Sequence, residues 1–276
     1  MQLPLGTIDT HFHLFGPESL YPYVSYRGYT PVGASLGGYL NVARGLGISR
    51  AVIVQPSPYG TDNRRLLDGM AESPIEMRGV VAVDADISDK DLAEMHQVGV
   101  RGVRINLVFD KMAAVQTAIS LAPRLRKLGW HVQFLADVSA WPDVAAFVRQ
   151  LDIPVVFDHL GHVPAHLGVR NQGFQAFLAL LREGRVWAKA SGMYRMAAPG
   201  AKSPYEHVCP FFMAAVAANP GRIVWATDWP HTSIHVPMPK DRALAEMVLN
   251  WIGPNHEIRQ AIFVDNANTL YGFKEC

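Results

Sequence analysis

"TIDTHFHLFGPESLYPY" occupies residues 7–23. A short apolar run ends in His11-Phe12-His13, with Asp9 just before it, and a loop rich in aromatics follows. A strand ending this way has both histidines on one face, because side chains alternate along a strand. The loop decides between two folds. A doubly wound open sheet carries a glycine-rich phosphate loop after its first strand. This loop has no such pattern, which leaves a closed barrel as the architecture to test.

The remaining apolar runs fit that test. They are "RAVIVQ" (50–55), "RGVVAVD" (78–84), "VRGVRIN" (100–106), "GWHVQFLA" (129–136), "IPVVFDH" (153–159), "RVWAKAS" (185–191) and "RIVWATD" (222–228). Each is rich in Val, Ile or aromatic residues and short for a helix, as buried parallel strands are. Helix-like segments lie between most of them. "SLGGYLNVARGLG" has Ser35 as a candidate cap, and "SDKDLAEMHQVG" has Ser88 and Asp91 in capping-box spacing. "MAAVQTAISLAPRLRKLG" is expected to break at Pro123. Eight strands alternating with helices predict a single (β/α)8 TIM barrel spanning 1–276, near the ~250 residues usual for that fold.

Composition excludes several partners. A formal net charge of +1 without blocks of like charge argues against nucleic acid and anionic membranes. Two cysteines, Cys209 and Cys276, supply neither a disulfide framework nor a Cys-rich metal site. No apolar stretch reaches the ~18 residues of a membrane span, and "MQLPLGTIDT" is unlike a signal peptide. The expectation is a cytoplasmic protein acting on a small molecule, with a homo-oligomer left open.

In a barrel the active site lies at the C-terminal strand ends. Those ends carry His11 and His13, Gln55 to Ser57, Arg104 to Asn106, Asp158 and His159, Lys189 to Ser191 followed by Tyr194 and Arg195, and Asp228 to His231. Alone, each has an ordinary reading: a satisfied core histidine, an exposed strand arginine, a turn-capping aspartate. Together they place titratable groups where the fold converges. His131 begins its strand and is read as structural, while His96, His207, His235 and His256 are expected to face solvent.

"IDTHFHLFGP", "AVIVQPSPYGTDN", "GVRGVRIN", "DHLG", "WAKASGMYR" and "WATDWPH" together resemble the amidohydrolase superfamily, in the branch that contains 2-pyrone-4,6-dicarboxylate lactonase. The resemblance implies a distorted TIM barrel that hydrolyses an anionic lactone. Asp228 would activate water, and His11, His13 and His159 would polarise the carbonyl. Arg104, Arg195, Tyr29, Ser57, Asn106, Tyr194 and His231 would bind substrate. Superfamily members with one metal add a fifth-strand histidine, where this chain has Gln133 and Leu135. The expectation is therefore no cofactor. The alternative is one divalent metal such as zinc on His11, His13 and Asp228. Asp110 and Leu135 replace a basic residue and a tyrosine usual in that branch, which puts two carboxylate contacts in doubt. Other readings are a metal-dependent decarboxylase or amidohydrolase, a sugar-lactone isomerase, and a non-catalytic binding protein on the same barrel.

Overall fold

The computed structural model describes residues 2–107 and 111–273, so Asp110 lies outside the described residues. The strands are β1 (Ile8–Phe12), β2 (Arg50–Val54), β3 (Glu76–Val81), β4 (Val100–Asn106), β5 (His131–Leu135), β6 (Val155–Phe157), β7 (Val186–Ala190) and β8 (Ile223–Trp225). They pair in parallel and in chain order. The helices are α1 (Leu36–Leu46), α2 (Arg64–Glu72), α3 (Asp89–Gln97), α4 (Lys111–Lys127), α5 (Val144–Gln150), α6 (Gln172–Arg182), α7 (Cys209–Ala218), α8 (Asp241–Ile252), α9 (His256–Gln260) and α10 (Asn266–Tyr271). This is the TIM barrel that the alternation predicts. No helix among the described residues is long and apolar enough to cross a membrane.

Local chemistry sets the helix starts. Ser35 accepts from the Gly38 amide and Ser88 from the Asp91 amide, each satisfying an N–H that has no partner within its helix. The break expected at Pro123 does not occur, and α4 runs through it. Pro123 sits on the exposed face while Leu121 and Leu125 are buried. Water can satisfy the carbonyl that proline leaves without a donor, and packing on the other face holds the helix.

Two apolar layers hold the strands. Ile8, Val52, Val54, Val80, Val156, Trp187 and Val224 cluster together, joined by Ala267 and Tyr271 of α10. A second, larger cluster fills the space between strands and helices. Strand β1 contributes to the inner layer with Ile8, yet His11, three residues on, joins the buried polar groups above it. An odd spacing on one face requires an extra residue. The register of β1 against β2 shifts between Asp9 and Phe12, which supplies it.

The join between β1 and β8 is not a full ladder. A single bridge links Phe12 to Trp229. The His13 amide donates to the Trp229 carbonyl and the Asp228 amide to that of His11, both at 2.9 Å. The buried Asp9 carboxyl does the rest. It accepts from the amides of Thr227 at 3.0 Å and His11 at 3.1 Å, and from the hydroxyls of Thr227 at 2.6 Å and Tyr39 at 3.0 Å. Burial pushes Asp9 up to about 6, against the pull of these bonds.

Asp9→Ala would leave all of these donors buried without their acceptor. Each unsatisfied buried group costs about 1–3 kcal/mol, so partial relaxation still leaves a loss of ~3 kcal/mol. Urea unfolding of the variant checks this. A loss below ~1 kcal/mol would show that the seam holds without Asp9.

Candidate active site

A cavity of about 330 Å³ opens among the strand ends. His13, Tyr29, Ser57, Arg104, Asn106, His159, Arg195 and Asp228 line it, as the sequence led us to expect. Gly28, Leu135, His162, Thr232, Ser233 and His235 complete the wall. Strands β6 and β8 stop short of the segments read from the sequence, because the chain turns sharply at the polar residues. His159 has φ 51° and Asp228 φ 62°. Such backbone is disfavoured for residues with a Cβ, and it occurs here at the residues that face the cavity.

Asp228 is held on one side only. Its Oδ2 accepts from the Tyr194 hydroxyl at 2.5 Å and from Arg195 Nε at 2.7 Å. Its Oδ1 is buried and has no hydrogen-bond partner among the described residues. Burial alone would raise this carboxyl. Arg195, His159 and His11 around it together outweigh burial and hold it well below the usual carboxylate range. The group is an ionised carboxylate with one acceptor oxygen to spare.

His11, His13 and His159 are neutral near pH 7. Burial lowers His11 and His13 to about 3 each, and holds His159 well below its ordinary value. His13 Nδ1 lies 2.7 Å from the Val54 carbonyl, which can only accept, so Nδ1 carries the proton and Nε2 a lone pair. That Nε2 is 3.2 Å from His11 Nε2. His11 Nδ1 in turn lies between Asp158 Oδ1 at 3.1 Å and the Lys189 ammonium at 3.3 Å. His159 Nδ1 meets Ser191 Oγ at 3.0 Å.

These positions correct several expectations. His11 is fully buried and does not line the cavity; its Nε2 meets that of His13. Tyr194 and His231, expected to touch substrate, do not line it either. Tyr194 supports Asp228, and His231 bonds to Tyr194 and Asp241. Arg195 does line the cavity, but its Nε is spent on Asp228. His235, expected to face solvent only, borders the cavity, and His96 accepts from the Trp130 indole at 2.9 Å.

Asp158 and Lys189 were visible as strand-end residues but received no role. Lys189 Nζ is wholly buried, 2.8 Å from the Thr10 carbonyl and 2.7 Å from Gln133 Oε1. Burial lowers it to about 8. Asp158 is pushed up by burial, but His11, Lys189 and Arg104 around it bring it well below its ordinary range. A lysine in the middle of an otherwise apolar strand, "RVWAKAS", was the available signal.

The donor set also fits a divalent ion. His11, His13 and Asp228 each offer one ligand atom, all within 4.8 Å of one another. Two proton arrangements of His11 bear on this. With its proton on Nδ1 toward Asp158, both Nε2 lone pairs converge, as a cation requires. With its proton on Nε2, it donates to His13 and accepts from Lys189, and no ion is needed.

Comparison with known proteins agrees with this geometry. The family model described as Amidohydrolase matches residues 8–273. The 2-pyrone-4,6-dicarbaxylate hydrolase of Comamonas testosteroni is 36% identical over 98% of this chain and 91% of its own length. The 4-sulfomuconolactone hydrolase of Hydrogenophaga intermedia is 33% identical over 98% of this chain and 90% of its own. A solved Pseudomonas putida structure, named as a 2-pyrone-4,6-dicarboxylic acid hydrolase, superposes with TM-score 0.85 at 36% identity, covering 99% of this chain and 100% of that one. With its barrel, its strand-end histidines and aspartate, and a match along nearly its whole length, this chain belongs to the amidohydrolase family.

Proposed function

We propose that this protein hydrolyses an anionic lactone with its own side chains as the catalytic groups. The observation that carries the reading is Asp228, a residue of the cavity wall whose Oδ2 holds two donors while its Oδ1 has no hydrogen-bond partner among the described residues. The relatives' names support the substrate class, since they specify a dicarboxylate and a sulfonated muconolactone.

Asp228 Oδ1 takes a proton from water as the water oxygen attacks the lactone carbonyl carbon. The carbonyl π electrons move to oxygen, and that oxyanion needs donors. His13, whose one proton is on Nδ1 and donated to the Val54 carbonyl, has none to offer from Nε2. The polarising role expected of three histidines therefore falls to His159, with Ser191 donating to Nδ1 and the proton on Nε2. As the ring C–O bond breaks, the leaving oxygen recovers the proton from Asp228, giving an open hydroxy acid. Arg104 lines the cavity while bonding to Asp158 and the Gln55 carbonyl, and it serves the substrate's anionic group.

A divalent ion held by His11, His13 and Asp228 would supply Lewis acidity at the carbonyl. The reading without one rests on three features. The end of β5 presents Leu135 to the cavity, Arg195 already neutralises Asp228, and the Lys189 ammonium stands 3.3 Å from His11 Nδ1.

Asp228→Asn keeps the shape but is a very poor proton acceptor, and should cost ~10²–10⁴-fold in turnover. A carboxylated-lactone screen by proton release supplies the substrate for this assay. Near wild-type turnover in the variant would remove Asp228 from the mechanism.

The two arginines should separate kinetically. Arg104→Met should raise KM for anionic lactones about 10–100-fold and spare neutral ones. Arg195→Met removes a bond to the base itself, so kcat should fall as well. Equal losses on charged and neutral substrates for Arg104→Met would give that residue to structure.

Extensively chelated protein should retain its activity. Activity lost on chelation and regained with zinc, at about one ion per chain, would assign His11, His13 and Asp228 to a required metal.

A further inference from the structure

Behind Asp228 a line of side chains leads away from the cavity. The buried Tyr194 hydroxyl lies 2.5 Å from Asp228 Oδ2 and 3.0 Å from His231 Nδ1. His231 Nε2 lies 2.8 Å from Asp241 Oδ1. Asp241 opens α8, and its side chain is 22% exposed.

Donor counting gives the line a direction. An ionised Asp228 can only accept, so the single Tyr194 proton points to Oδ2. The tyrosine oxygen then accepts from His231 Nδ1–H. The Asp241 carboxylate also only accepts, so His231 donates to it from Nε2–H. Every contact is satisfied when His231 donates at both ends. With Nδ1 bare, His231 would compete with Asp228 for the Tyr194 proton.

We propose that Asp241 is a positioning residue for the general base. Through His231 and Tyr194 it sets which way the Tyr194 hydroxyl points, and so keeps Asp228 Oδ1 turned to the attacking water. This rests on reading Asp228 as the base. A merely structural role has a different signature. The His231–Asp241 bond also ties down the β8–α8 connection, which carries Thr232 and Ser233 of the cavity wall. A loosened wall would raise KM and lower the melting temperature.

The test combines kinetics of Asp241→Asn, Asp241→Glu, Tyr194→Phe and the Asp241→Asn/Tyr194→Phe double variant with crystal structures of wild type and Asp241→Ala. Asp241→Asn should lower kcat about tenfold with KM within about twofold, and Tyr194→Phe should lower it about 10–100-fold. Asp241→Glu should restore most of the loss. The double variant should be no slower than Tyr194→Phe, because the line is already cut. Wild-type kcat in Asp241→Asn, losses that multiply in the double variant, or a change confined to KM would each overturn the proposal. In the crystals, Asp241→Ala should displace His231 and lengthen the Tyr194–Asp228 contact; an unchanged contact would also overturn it. If wild type opens no lactone, the functional reading fails, and the crystal comparison still decides the role of Asp241 in holding the carboxylate.

Discussion

The seam between β1 and β8 is the constraint on which the site depends. Seven of the strand junctions are ordinary parallel ladders, but here one bridge and a few backbone bonds close the barrel. The buried Asp9 carboxyl compensates by gathering four donors from β1, the β8 end and α1. The same seam brings His11 and His13 to Asp228, because the Asp228 amide bonds to the His11 carbonyl itself. The contacts that close the barrel therefore also bring the candidate catalytic groups together.

Charge balance then shapes the chemistry. Lys189, Arg104 and Arg195 are interleaved with Asp158 and Asp228 around imidazoles that burial keeps neutral. A carboxylate in an apolar pocket would take up a proton and lose its value as a base near pH 7. The Arg195 pair opposes this uptake while occupying only one oxygen of Asp228. The neutral histidines present lone pairs and single N–H donors at fixed positions, so their tautomers decide which atoms face a bound molecule.

The cavity wall explains why a family resemblance and a substrate are separate questions. Leu135 from β5 and the residues Thr232, Ser233 and His235 beyond β8 line the same space as the catalytic groups. Loop residues like these set substrate fit on a shared barrel.

The sequence by itself determined the barrel, since strand and helix periodicities are local and eight alternations leave few closed arrangements. It also determined which strand ends carry His13, His159, Arg104 and Asp228, because chain order maps directly onto strand order in this fold. It did not reveal that His11 lies behind His13, that Tyr194 and His231 stand behind Asp228 outside the cavity wall, or that Arg195 is tied to Asp228. Pro123 misled for a related reason: its cost depends on whether it faces solvent. Each of these turns on which neighbour a side chain reaches across the barrel, and sequence spacing carries no distance between residues 34 or 147 apart. Tertiary packing decided them, because a buried polar group must find a partner wherever the fold places one.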